Sequence, residues 1–118
     1  MNEKYIRTIY VFGDVFWDFY NAMNIAIQGK IDWVIDLVKS LPQIPEKYFK
    51  HIEGTSGLYE MRIKLGSNIY RIFCFFAEGR LVILLNGFQK KSEKTPRTEI
   101  KKAERLKQKY YEEKARKN

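Results

Sequence analysis

The chain has one cysteine, Cys74, and one histidine, His51, in 118 residues. A lone cysteine closes no internal disulfide, and one Cys with one His cannot supply the usual nitrogen and sulfur ligands of a zinc site. A reduced, cytoplasmic protein without metal or cofactor is expected. Long apolar runs are also lacking. No segment approaches the roughly 18 residues that a membrane helix needs, and Glu3, Lys4 and Arg7 interrupt the stretch where a signal peptide would carry its apolar region. Neither a membrane span nor a secretion signal is expected. The G-x-S-x-G, H-E-x-x-H, P-loop and G-x-G-x-x-G patterns are absent as well, which leaves serine-nucleophile, zinc-protease, nucleotide-triphosphatase and dinucleotide chemistry without a motif. There is no internal repeat and no low-complexity tract.

What the chain does have is apolar and cationic material. Hydrophobic residues make up 45% and aromatics 15%, enough for one packed domain and too much for a disordered chain. The 22 Lys and Arg against 14 Asp and Glu give a formal charge of +8. That charge is uneven: residues 1–86 carry about +1, and residues 87–118 carry about +7. Cations gathered on one surface are the footprint of a polyanion, and they are also what a solubilising helix carries.

Residues 5–12 (YIRTIYVF) are β-branched and aromatic and run into Gly13-Asp14, which predicts a strand, a turn and a helix start. Phe16, Phe19, Tyr20, Met23 and Ile27 fall at helical spacing. After Gly29 a second set, Ile31, Val34, Ile35, Val38 and Leu41, repeats it. Two helices hinged at Gln28-Gly29-Lys30 are expected, and both stripes read as core. Pro42 and Pro45 mark an extended link. Three strands follow, at 58–65, 69–76 and 81–86, as an antiparallel meander. After Pro96, Ile100, Ala103, Leu106 and Tyr110 trace a narrow apolar stripe on an otherwise basic helix. The organisation expected is therefore a single domain over 1–111 and a frayed basic tail over 112–118.

The first meander strand alternates cleanly, with Tyr59, Met61, Ile63 and Leu65 on one face and Glu60, Arg62 and Lys64 on the other. A three-residue loop after it would turn Arg71 into the apolar face, at a cost of several kcal/mol for an unpaired charge. The loop must hold an even number of residues. The register then expected sets Lys64 opposite Arg71 and Arg62 opposite Phe73, with Tyr70, Ile72, Cys74 and Phe76 facing the core. A two-residue Glu78-Gly79 turn next sets Asn86 opposite Arg71. Lys64, Arg71 and Asn86 form one row across three strands in this reading, and Phe73 and Phe75 share the cationic face with Val82 and Leu84.

Such a face suits RNA. Cutting RNA needs a base for the 2′-hydroxyl, cations for the charge growing on phosphorus, and an acid for the departing 5′-oxygen. Arg71, always charged and able to bind phosphate through two parallel hydrogen bonds, suits the second role. A lysine crowded by like charges has its pKa pushed down toward a useful range, which makes Lys64 or a lysine of the loop after the last strand candidates for proton transfer. Aromatic rings interleaved with cations are what base stacking and phosphate contact require. The competing readings are a solvated sheet face with Glu60 pairing Lys64 and Arg71, and Phe73 and Phe75 covered by the last helix or by a partner. Cys74 falls on the apolar side, where burial makes a thiol inert, and His51 sits in a connecting segment.

Residues 50–96 carry GLYEMRIK, the YRIF strand and the ending LLNGFQKKSEKTP, and with these motifs the chain resembles the HigB-like, phage-derived branch of the RelE/ParE toxin superfamily. The resemblance spans nearly the whole chain. It implies an α+β, RelE-like fold: an N-terminal strand, a two-helix hairpin, the three-stranded meander and a basic C-terminal helix. It also implies the toxin of a type II toxin–antitoxin system, a metal-independent endoribonuclease that enters the ribosome, cuts translated mRNA and is silenced by a helix-turn-helix antitoxin. Carried over by position, Arg62 and Lys64 match the cationic strand before the hairpin, Arg71 the phosphate-stabilising arginine, and Lys90 and Lys91 the basic zone after the last strand. The sites implied are Lys64, Arg71, Lys90 and Lys91 for catalysis, and Arg62, Phe73, Asn86 and Lys94 for RNA binding. Two departures leave the general base unassigned: Lys94-Thr95-Pro96 stands where RelE has a tyrosine, and Asn86 where many relatives have histidine. The rival readings are a ParE-like gyrase poison, which needs no RNA chemistry, and a non-catalytic basic nucleic-acid-binding module.

Overall fold

The computed structural model describes residues 5–117. Glu3, Lys4 and Asn118, which belong to the N-terminal and tail readings above, lie outside the described residues. The elements in chain order are β1 (Thr8–Val11), α1 (Val15–Asn21), α2 (Ile25–Ser40), β2 (Phe49–His51), β3 (Leu58–Leu65), β4 (Asn68–Glu78), β5 (Leu81–Lys90) and α3 (Arg97–Arg116). They make a mixed α+β fold, with a five-stranded sheet in the order β1-β5-β4-β3-β2. That order is wider than the expected meander. β1 joins one edge parallel to β5, and β2 joins the other antiparallel to β3. β2 is three residues long and follows two prolines, too short for periodicity to register.

The helix pair breaks earlier than Gly29. The chain leaves α1 at Ala22, and Asn24 then caps α2, its side-chain oxygen accepting from the Ile27 N–H at 3.0 Å. Gly29 lies inside α2 on its exposed side, where a glycine is tolerated at a cost of about 1 kcal/mol. The buried stripe of α2 is Ile27, Ile31, Val34 and Val38. Arg7 closes the other end of α2, donating to the carbonyls of Val38, Leu41 and Pro42.

The β3–β4 loop is the two-residue turn Gly66-Ser67, with Gly66 at φ 63°. The loop is even, as expected, but the pairing lies two residues away from the expected one. Arg71 faces Arg62, and Lys64 faces Ile69, because Asn68 and Ile69 are strand residues and not loop. The next turn is Gly79-Arg80 in place of Glu78-Gly79, and two irregularities follow it. Ala77 is an extra residue on β4, and Leu85 with Asn86 together oppose Phe73. The first bulge flips residues 81–85 relative to the expected faces, and the second flips the strand back. Arg71 therefore faces Phe88, not Asn86.

The sheet separates two cores. Met61, Ile63, Tyr70, Ile72, Cys74, Val82 and Leu84 pack against α1 and α2. Leu58, Phe73, Phe75, Ile83 and Leu85 pack under α3, which supplies Ala103, Ile100, Leu106 and Tyr110. α3 remains helical to Arg116, past the point where fraying was expected. Among the described residues no helix is long and apolar enough to cross a membrane.

Candidate functional site

The contacts of α3 with the sheet begin where Asn86 Nδ2 donates to the Glu99 carbonyl and carboxylate, at 3.2 and 3.0 Å, and end at the Lys114–Glu78 ion pair near the Gly79 turn. Beyond Asn86, that face of the sheet ends in cations. Alternation brings Glu60, Arg62 and Lys64 of β3 to it, pairing places Arg71 of β4 beside Arg62, and Lys90 of β5 pairs with Ile69.

Two arginines side by side on adjacent strands repel unless something lies between them. Glu60 does. Its Oε2 accepts from Arg62 Nε at 3.0 Å, and its Oε1 lies 3.5 Å from Arg71 Nε, an ion pair without hydrogen-bond geometry. Arg62 also donates to the Glu46 carbonyl at 3.4 Å, and its N–H to the Tyr48 carbonyl at 2.8 Å, which docks the link onto the β3 edge. Arg71 is 8% exposed and donates to the Tyr70 carbonyl. Burial lowers its pKa, with Glu60 opposing and Arg62 adding to the effect. A guanidinium stays charged under these conditions. Burial also pushes Lys90 down, helped by the positive charges of Arg71 and Arg62 and opposed by Glu60. The amine is thereby brought closer to the range in which it exchanges protons near neutrality.

A pocket of about 450 Å³ opens beside this cluster at the β3 edge, where β2 no longer pairs, with Arg62, Lys64, Ile69 and Arg71 in its wall. A second hollow shares Ile69 and carries Lys90 and Lys91. Lys91 and Lys94 are exposed in the loop after β5. Of the eight residues singled out from sequence, Arg62, Lys64, Arg71 and Lys90 come together, Lys91 lines the adjoining hollow, and Lys94 is exposed further along the loop. Phe73 and Asn86 do not join them. Phe73 is fully buried beneath α3 and meets Phe88 edge-on at 5.1 Å. Asn86 is fully buried as the hook for Glu99. The expected row Lys64–Arg71–Asn86 is replaced by Arg62–Arg71–Phe88, and the last helix is what covers Phe73 and Phe75. Cys74 lies on the apolar side, where burial pushes its thiol up.

Sequence reasoning missed Lys30, Lys47 and Tyr48, which also line the pocket. The interleaved cation and aromatic in Lys47-Tyr48 was the available signal. Nothing local connects either residue to Lys30.

These features define a class: a small basic α+β domain whose sheet offers a cationic end left open by its C-terminal helix. The chain belongs to the phage-derived Gp49-like protein family (DUF891), whose model matches residues 18–108. That family is toxin-like and related to the RelE and HigB toxins. No curated protein matches the chain.

Proposed function

We infer that the protein is the toxin of a type II toxin–antitoxin pair, of the HigB-like branch, and that it cuts translated mRNA on the ribosome with cations of its own chain. The observation that carries this reading is the Arg62–Arg71 pair held over Glu60 at the open end of the sheet. Two guanidiniums against one carboxylate leave the cluster with a net positive charge, and a phosphodiester passing through a five-coordinate state presents the negative charge that it suits. In the reaction the 2′-oxygen bonds to phosphorus, the bond from phosphorus to the 5′-oxygen breaks, and one proton leaves the 2′-hydroxyl while one reaches the leaving oxygen. Arg71 and Arg62 take the phosphoryl oxygens. Lys90, with its lowered pKa, serves one proton transfer, and Lys64, Lys91 and Lys94 add to the field that draws in RNA. The ribosome positions the substrate and so supplies much of the rate. The same open cationic surface suits capture by an antitoxin, for which a helix-turn-helix protein encoded next to this one is the candidate, with the pair acting in the cytoplasm.

Inducing the chain in cells while mapping mRNA ends, translation and DNA supercoiling tests the reading. Fresh cuts inside translated frames are expected. Intact mRNA with gyrase-linked DNA breaks would replace it with the ParE-like alternative, and intact mRNA with intact DNA would leave a binding module.

A further inference from the structure

The pocket at the β3 edge is larger than the arginine clamp needs. Five cations line it, Lys30 from α2, Lys47 from the link, and Arg62, Lys64 and Arg71 from the sheet, and among the described residues no carboxylate does. Its wall also includes Tyr48. The Tyr48 ring meets Trp33 of α2 edge-on, with centroids 5.3 Å apart. Lys30 Nζ sits 4.5 Å over the Trp33 ring, and Lys47 Nζ lies 5.6 Å from that of Tyr48. Trp33 is 45% exposed, an unusual state for the largest apolar side chain. An indole and a phenol interleaved with two ammonium groups are the parts from which single-strand binding surfaces are made, because every base has a face to stack and every nucleotide a phosphate to neutralise.

Resting on the nuclease reading above, we propose that Trp33, Tyr48, Lys30 and Lys47 form a second nucleotide subsite. It holds the unpaired base and the phosphate flanking the nucleotide at Arg71, so that the substrate is extended single-stranded RNA lying from the sheet end onto α2. A base stacking on Trp33 displaces Lys30 from the ring face and frees its ammonium for the adjacent phosphate. The aromatic–cationic surface expected of Phe73 and Phe75, which α3 buries, is thus supplied by a different element.

The chain has two tryptophans, Trp17 and Trp33, so Trp17→Phe leaves Trp33 as the sole indole reporter. Titrating this full-length variant with a short unstructured RNA should quench Trp33, whereas an abasic oligomer of the same length should bind with little quenching. Trp33→Ala should weaken RNA binding on the order of tenfold. Lys30→Ala with Lys47→Ala should lower the salt slope by about 0.7, the value for one phosphate contact on a single strand. Both variants should melt like the parent, and Trp33→Phe should restore most of the affinity. No binding by the parent chain, RNA binding without quenching, or unchanged affinity in Trp33→Ala would overturn the subsite, as would quenching by a copurifying protein and not by RNA. The two readings fail separately. Parental mRNA cutting by Trp33→Ala removes the subsite and leaves the nuclease, and quenching by RNA in a chain that cuts nothing in cells does the reverse.

Discussion

At the scale of single residues, Glu60 governs the site. It is the carboxylate between two guanidiniums, and its side chain is nearly buried. Glu60→Gln keeps the shape and removes the charge, leaving Arg62 and Arg71 to repel each other. A loss on the order of 2 kcal/mol is expected, read as a lower urea midpoint. The same change bears on Lys90, whose proton Glu60 helps to hold. The fold lowers the Lys90 pKa below its ordinary 10.5. Between those two values the unfolded chain binds the extra proton, so the Lys90 contribution makes stability rise as pH climbs through that window. Removing Glu60 lowers the pKa further. The limb of the pH–rate profile for mRNA cutting that reports Lys90 should therefore move to lower pH in Glu60→Gln, and an unmoved limb would take Lys90 out of proton transfer.

At the scale of elements, the β5 strand sets which groups reach the site. Gly87 lies under α1, and a Cβ built there would come within 2.5 Å of the Phe19 ring. Gly87→Ala should cost about 1–3 kcal/mol through overpacking, with most of the loss recovered in a Phe19→Leu background, as thermal melts of the double-mutant cycle would report. Asn86, one residue earlier, anchors α3. Asn86→Ala should destabilise by about 1–2 kcal/mol and speed hydrogen exchange in the first turns of α3, while leaving the RNA affinity of the folded protein unchanged. A weakened RNA affinity with the fold intact would return Asn86 to the interface. Much of this scale was legible. The alternation from Tyr59 to Lys64 placed Glu60, Arg62 and Lys64 on one face, and the cost of turning Arg71 unpaired into the apolar face fixed an even loop. The β5 faces were not legible, because two bulges at Ala77 and Leu85-Asn86 reverse the alternation and then restore it, and a bulge leaves no mark in composition. Asn24 opens α2 five residues before Gly29, because its side chain satisfies the Ile27 backbone donor at the helix start.

At the scale of the whole molecule, the charge surplus follows the architecture. α3 spends its apolar stripe on the second core, with Tyr110 against Phe12 and Phe75 and Tyr111 against Phe75, and turns its basic residues outward. Deleting 112–118 removes Lys114, which holds Glu78 below its usual carboxylate range, together with Arg116 and Lys117. Both ends of the lost ion pair are exposed, so the melting point should scarcely move, whereas ribosome affinity should fall and its salt slope shrink. An unchanged slope would make the last two turns a solubilising extension. The account as a whole depends on Arg71, which closes the arginine pair without belonging to either apolar core. The decisive measurement is the rate at which purified parent, Arg71→Lys and Arg71→Ala proteins cut mRNA on programmed ribosomes, with each variant's fold checked by its melt. A phosphate clamp predicts a loss of about a hundredfold or more for Arg71→Ala and a clear, smaller defect for Arg71→Lys, which keeps the charge but not the planar fork. A folded Arg71→Ala protein that cuts at the parental rate would contradict the account.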